Sequence, residues 1–337
     1  MDTYVEDQDA LFTELFSHLE KVKTEGVTLD EDVLKRAERS IDTSTPRSTL
    51  WQLLSTGEAL LQVLQQDPRS LTRLLQRDIS LIPFDELKQS ISAEKLEEGL
   101  QAPSVAVQLL CIAYLQKAAD TPSGASFVAA SSDLVQTLLT LWLTSENTEV
   151  AERALEAIEA LLAVDSTNSV TVLSAGERLG EAQGQGLLWR RIFHDAKVYA
   201  ILFEWTSLST TQRDINTKKG LHLVTISQGR LFDFIARIAS LGWATVTTSS
   251  LPDIESKYTR GQGDDQPYGG LLRYAASYMI DSSDILMEVL RQDFFVQLLG
   301  IVEDNNSQGI SPRLLEAIQH DAGVETIKGP GDSGLHL

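Results

Sequence analysis

The sequence has little cysteine, little proline and too few basic residues to balance its acidic ones. Cys111 is the single cysteine among 337 residues, which excludes a disulfide framework and a multi-cysteine zinc site and is typical of a reducing compartment. The 28 lysines and arginines face 48 aspartates and glutamates, so the formal charge is −20, and such a surface repels phosphate backbones. We therefore expect no nucleic-acid partner and a cytoplasmic, or also nuclear, location.

Long apolar runs are also missing, and we expect no secretion signal. The chain begins with the acidic stretch Met1 to Asp7, whereas a signal peptide begins with basic residues and an apolar run. The longest apolar stretch, from Val105 to Leu115, is interrupted by Gln108 and is far shorter than the roughly 18 residues of a membrane span. We expect no membrane partner.

The residues that are present point to a folded, helical protein. Apolar residues make up 42% of the chain and there are only 9 prolines, whereas disordered chains are poorer in apolar residues and richer in proline. The apolar residues recur at helical spacing from end to end, and no stretch alternates long enough to favour a strand. The pattern predicts an all-α protein.

Internal repetition predicts how these helices are arranged. Residues 102–120 align with residues 147–165, and Ser132 to Leu141 aligns with Gln292 to Ile301. A looser copy runs from His194 to Phe203. Each copy is interpreted as a short helix, a break at a polar residue, and a helix with one large aliphatic face. Such helices bury that face by stacking against neighbouring repeats.

The repeats predict an armadillo/HEAT-type α-solenoid, which is a right-handed superhelical stack of helical repeats. We expect one solenoid over residues 1–325, a flexible loop at 247–270 and a disordered tail at 326–337. The loop is rich in glycine and charge and has few apolar anchors. An irregular helical bundle is the alternative.

Motifs for catalysis and for cofactors are missing. There is no Gly-Lys-Ser/Thr phosphate-binding loop, and Thr225 to Gly229 lacks the first glycine of a nucleophile elbow. No two of the five histidines have the spacing that pairs metal ligands on a helix. Cys111 lies among apolar neighbours and is interpreted as a buried packing residue. We predict no enzymatic activity, no cofactor and no metal.

Two surface patches are candidate partner-binding sites. The first is an acidic stripe at helical spacing, whose members are Glu149, Glu152, Glu156 and Glu159. It is a docking surface for a basic partner, or otherwise an ordinary solvated helix face.

The second patch lies on the polar side of a predicted helix from Gly270 to Ile280. Its members are Arg273, Tyr274, Ser277 and Tyr278. Exposed tyrosine and arginine are enriched at interface hot spots. The alternative is that both tyrosines pack between helix layers.

Several segments resemble a known family. Leu81 to Leu87, Ile91 to Leu96, the helix from Val105 to Leu115 and the stretch Trp189 to Phe193 are similar to the fungal proteasome-assembly chaperone. That family is also named for DNA mismatch repair and is related to proteasome non-ATPase regulatory subunit 5 of animals. The resemblance runs from about Val5 to Phe295, and family members usually continue with further repeats.

The resemblance implies a non-catalytic function. Family members bind the C-terminal domain of an ATPase subunit of the proteasome regulatory particle, help to assemble its base, and leave before the particle caps the core cylinder. We therefore expect a monomeric chaperone whose partner is such an ATPase subunit, with other base subunits as further partners. The alternatives are a solenoid adaptor for another protein, an enzyme with a dispersed active site, and a repair protein that contacts DNA directly.

Overall fold

A computed structural model describes residues 8–167, 184–209, 211–259, 269–304 and 310–323. These residues form 17 α-helices and no strand, which confirms the predicted all-α class. The chain divides into two compact units, Met1–Ile192 and Phe193–Leu337. The tail predicted at 326–337 lies outside the described residues.

Unit 1 holds the helices α1 to α11, the last of which ends two residues into unit 2. Their bounds are α1 (Gln8–Glu25), α2 (Glu31–Ser40), α3 (Arg47–Leu61), α4 (Arg69–Leu81), α5 (Phe84–Leu87), α6 (Ala93–Leu100), α7 (Val105–Ala118), α8 (Pro122–Ala130), α9 (Ser132–Thr144), α10 (Thr148–Val164) and α11 (Leu187–His194).

The helices of unit 1 repeat with a period of three. Helices α2–α4, α5–α7 and α8–α10 form successive triplets, in which the third helices α4, α7 and α10 pack in a row. The second helices α6 and α9 contact each other, as do the first helices α5 and α8. The aligned residues 102–120 and 147–165 thus hold equivalent helices, α7 and α10, in neighbouring triplets. A three-helix period favours the armadillo plan over the two-helix HEAT plan.

Polar side chains cap the N-termini of these helices at the breaks between them. Ser131 accepts a hydrogen bond from the backbone N–H of Leu134 at the start of α9, and Asn147 accepts one from Val150 at the start of α10. Side-chain oxygens at this position satisfy N–H groups that have no partner within the helix. The breaks between repeats are therefore encoded locally.

Unit 2 holds the remaining helices. They are α12 (Ala196–Glu204), α13 (Lys218–Thr247), α14 (Pro252–Tyr258), α15 (Gly270–Ser277), α16 (Ile285–Asp304) and α17 (Pro312–Asp321). Helix α13 is interrupted at Gly242, whose backbone leaves helical geometry. Helices α15 and α16 pack on α13, and α17 packs on α16.

Two of the aligned copies, His194 to Phe203 and Gln292 to Ile301, lie in unit 2. The predicted repeat plan is found in the first copy and not in the second. Asp195 separates α11 from α12 and accepts hydrogen bonds from the N–H groups of Lys197 and Val198, as a polar break should. The segment aligned with α9, however, has no break, because α16 runs continuously from Ile285 to Asp304. The predicted short helix and break at this position are therefore wrong.

The predicted loop at 247–270 is partly helical. Helix α14 lies within it, and the buried carboxylate of Glu255 on this helix accepts hydrogen bonds from four groups. The donors are the hydroxyls of Tyr199 and Ser249, at 3.0 and 2.6 Å, and the N–H groups of Ser250 and Leu251. Residues 260–268 lie outside the described residues.

No single helix among the described residues is both long and apolar enough to cross a membrane. Helices α8 and α9 together reach the required length and composition, but they are bent by 95° relative to each other.

Candidate partner-binding site

A groove runs across the third helices of unit 1, where α4, α7 and α10 lie side by side. Its volume is about 380 Å³, which is within the range of sites that hold small ligands. Its floor is apolar and its rim is polar. The floor consists of Ile79, Leu109, Ile112 and Ala113, and the rim of Gln76, Ser80, Gln116, Lys117, Asp120, Glu149 and Arg153.

Hydrogen bonds between helices hold the rim in place. Lys117 Nζ donates to the carbonyl oxygen of Ser80 at 3.0 Å and lies 2.7 Å from Asp120 Oδ2. On the other side of the groove, Gln116 Nε2 on α7 donates to Glu156 Oε2 on α10 at 3.4 Å. The three helices are thus connected through polar side chains at the edges of the groove.

The predicted acidic stripe lies along α10 at the edge of this groove. Glu149, Glu152 and Glu156 are exposed and Glu159 is half-buried, so the four residues share one face as predicted. Glu156 is paired with Arg153 at 3.0 Å. Glu149 and Glu152 form no ion pair or hydrogen bond with any described residue. Their carboxylates are therefore available to basic groups of a partner.

The second predicted patch is smaller than the sequence indicated. Tyr274 is 0% exposed. Its ring packs against that of Phe203, and the two ring centroids are 4.6 Å apart. It is therefore a core residue, and the prediction that it lies on the surface is wrong. The patch is reduced to Arg273, Ser277 and Tyr278, of which Ser277 is exposed and the other two are half-buried.

The strongest pKa shifts of unit 1 belong to three buried residues of α4 and α7. Burial raises the pKa of Asp78 to about 8. Burial, together with the charge of Glu58, raises the pKa of the Cys111 thiol to about 12 and also raises that of Tyr114, whose hydroxyl donates to Glu58. None of these residues lines the groove. The buried state of Cys111 confirms its interpretation as a packing residue.

Metal-ligating side chains do not cluster in the part of the chain that the structure describes. No group of three or more histidine, cysteine, aspartate or glutamate side chains is placed there to hold an ion. The groove itself offers apolar surface and hydrogen-bonding groups.

A comparison with protein families identifies the chain. The family model described as "DNA mismatch repair protein HSM3, N terminal domain" matches residues 9–177. The chain belongs to the HSM3 family. This finding confirms the resemblance to the fungal family that is also named for mismatch repair. No curated protein matches the chain.

The HSM3-family match covers the candidate groove completely. Helices α4, α7 and α10, with the acidic stripe, lie between residues 9 and 177. The patch of Arg273, Ser277 and Tyr278 lies outside the matched residues. The groove and the stripe are therefore the part of the surface to which the family relationship directly applies.

The sequence predicted the acidic stripe but missed the rest of the groove in this HSM3-family chain. Lys117 lies in the last turn of α7 and Asp120 just after this helix. Gln76 lies on α4, 40 positions before Gln116 in the sequence. The alignment of 102–120 with 147–165 was the available signal. Because equivalent helices of neighbouring repeats pack side by side, that alignment already implied that polar residues of α7 and α10 meet.

Proposed function

We propose that this chain is a non-catalytic chaperone for assembly of the proteasome regulatory particle base, and that it binds the C-terminal domain of a proteasomal ATPase subunit. Membership of the HSM3 family over residues 9–177 is the observation that carries the proposal. The proposed location is cytoplasmic, or also nuclear, and the proposed state without its partner is a monomer.

The groove across α4, α7 and α10 is the proposed contact surface. Its apolar floor would bury an apolar side chain of the ATPase domain, and its rim would supply hydrogen bonds. Glu149 and Glu152, which have no partner among the described residues, would pair with basic residues of that domain. The proposed mechanism is occupancy: the bound chaperone blocks premature docking of the ATPase on the core cylinder and leaves when assembly creates a steric clash.

The direct test measures binding of the purified full chain to the C-terminal domain of each base ATPase subunit by calorimetry. We expect one of these domains to bind. The proposal fails if none of these domains binds and if a pull-down from fungal extract recovers no proteasome base component. Recovery of an unrelated protein instead would favour the adaptor alternative.

A groove-filling variant tests the contact surface. Ala113 is half-buried on the groove floor, so Ala113→Trp is expected to occupy the groove and weaken ATPase binding about tenfold or more. The matched control is Ala130→Trp, at an exposed alanine that ends α8. If both variants bind like the unmodified chain, the groove assignment fails while the chaperone function stands.

A charge-reversal variant tests the acidic stripe. Glu149→Arg with Glu152→Arg changes two exposed carboxylates that no described residue pairs with, so we expect the fold to be retained and ATPase binding to weaken. The control is Glu20→Arg with Glu98→Arg, which changes the net charge by the same amount at exposed positions on α1 and α6. Equal effects of the two changes would show that net charge, and not the stripe, steers binding.

The description of the family favours a second candidate function, DNA mismatch repair through direct contact with DNA. The charge of −20 opposes such contact. We expect no retardation of a mismatched duplex in a gel-shift assay at low salt. A shift that weakens steeply as salt is added would favour this second candidate, because phosphate contacts release counterions.

A further inference from the structure

Helix α16 carries large apolar side chains on two opposite sides, although only one side is packed. The packed side lies against α13 and α17 and buries Met287, Phe294, Phe295, Leu298 and Val302. The opposite side, which we call the outer face, exposes Ile285, Leu286, Val289, Leu290 and Val296. A helix that is apolar all round is normally enclosed, so the outer face lacks the cover that its composition requires.

The outer face is a continuous stripe. Ile285, Val289 and Val296 are separated by four and seven residues, which places them in one line along the helix, and Leu286 and Leu290 lie beside that line. Ile285 is 82% exposed and Leu286 67%. The stripe spans about 17 Å, or three helical turns. Contiguous apolar surface of this kind marks an interaction site.

The charged residues that lie beside the stripe on α16, and in the turn that precedes this helix, are all acidic. Asp281 and Asp284 precede it, Asp293 interrupts it and Glu303 follows it, and all four are exposed. The single basic residue of α16, Arg291, lies on the packed side, where it is paired with Glu288 and Asp321. An occupant of the outer face must therefore combine apolar residues with basic ones.

We infer that the outer face of α16 is a docking site for a basic amphipathic helix of another protein. The apolar side of such a helix would cover the stripe, with anchors at intervals of three, four and seven residues, and its lysines or arginines would meet the acidic rim. A second copy of this chain fits less well, because it would bring the same carboxylates against each other. The site belongs to unit 2 and does not depend on the proposed function of the groove.

The probe is a synthetic helical peptide of about 16 residues, which matches three to four helical turns, with leucines on one side and lysines on the other. Fluorescence anisotropy would measure its binding to the full chain. We expect binding by the unmodified chain, and about tenfold weaker binding by the double variant Leu286→Gln, Val289→Gln. This variant keeps the charge of the protein, so it separates the stripe from general attraction to an acidic surface.

Two controls complete the test. Val63→Gln changes an exposed valine of unit 1, 57% exposed, and is expected to bind the peptide like the unmodified chain. Asp293→Asn is expected to weaken binding and to reduce its salt dependence. The inference is overturned by absence of peptide binding, or by equal binding to the double variant. Sedimentation that shows a dimer abolished by the double variant would overturn it too, because the face would then join two copies of this chain.

Discussion

Replacing Asp78 with asparagine is expected to stabilise the chain at neutral and alkaline pH and to leave its stability near pH 4 almost unchanged. Asp78 on α4 is 0% exposed, and neither oxygen of its carboxyl group forms a hydrogen bond with a described residue. A buried carboxylate without partners costs several kcal/mol, so the carboxyl keeps its proton in the folded state. Burial raises its pKa from the ordinary 3.8 to about 8.

The sign of the effect follows from proton counting. Between about pH 4 and about pH 8 the folded chain holds a proton on Asp78 that the unfolded chain has released, so stability falls as pH rises. The slope is about 1.4 kcal/mol per pH unit and levels off above the folded-state pKa. Because asparagine cannot ionise, the Asp78→Asn variant does not lose stability in this way as the pH rises.

Urea unfolding at a series of pH values would measure the difference. The matched control is Asp133→Asn, which changes an exposed aspartate on α9 and should follow the pH dependence of the unmodified chain. If Asp78→Asn also follows that dependence, then the carboxyl of Asp78 is not held protonated in the folded state.

Replacing Glu255 with alanine is expected to destabilise unit 2 by about 3–5 kcal/mol, because it leaves buried donors without an acceptor. The donors include the hydroxyl of Tyr199, which is itself 0% exposed, and two N–H groups just before α14. Leu251, at the start of that helix, supplies no side-chain cap. Glu255 therefore caps the start of α14. It also connects α14 to α12 through the hydroxyl of Tyr199.

Two further variants distinguish this role from a general effect of changing α14. Glu255→Gln keeps the length of the side chain and one acceptor oxygen, so a smaller loss is expected. Asp253→Ala removes an exposed carboxylate from the same helix and should cost well under 1 kcal/mol. Thermal unfolding, followed by circular dichroism, would rank the three variants by their loss of stability. Equal losses for Glu255→Ala and Asp253→Ala would contradict the assigned role.

The contrast between Glu255 and Asp78 shows what decides the cost of a buried carboxyl group. Glu255 accepts four hydrogen bonds, whereas Asp78 accepts none from the described residues. Neither residue lines the groove. Substitutions at these positions are therefore expected to change stability before they change binding of a partner.

The sequence by itself determined the helical class, the breaks at polar residues between repeats and the equivalence of α7 with α10. These properties are local: apolar spacing identifies one face of a helix, and polar residues such as Ser131 and Asn147 satisfy the first N–H groups. The stripe from Glu149 to Glu159 was predictable for the same reason, since all its members lie on one helix.

Only the tertiary structure decided which residues from different helices meet. It placed Lys117 of α7 against Ser80 of α4, enclosed Tyr274 beside Phe203 and left the outer face of α16 uncovered. Spacing along the chain reports the composition of a helix face but not the neighbour that covers it. The contacts between helices decide whether an apolar face is part of the core or a docking surface. They also decide whether a tyrosine is an interface hot spot or a packing residue.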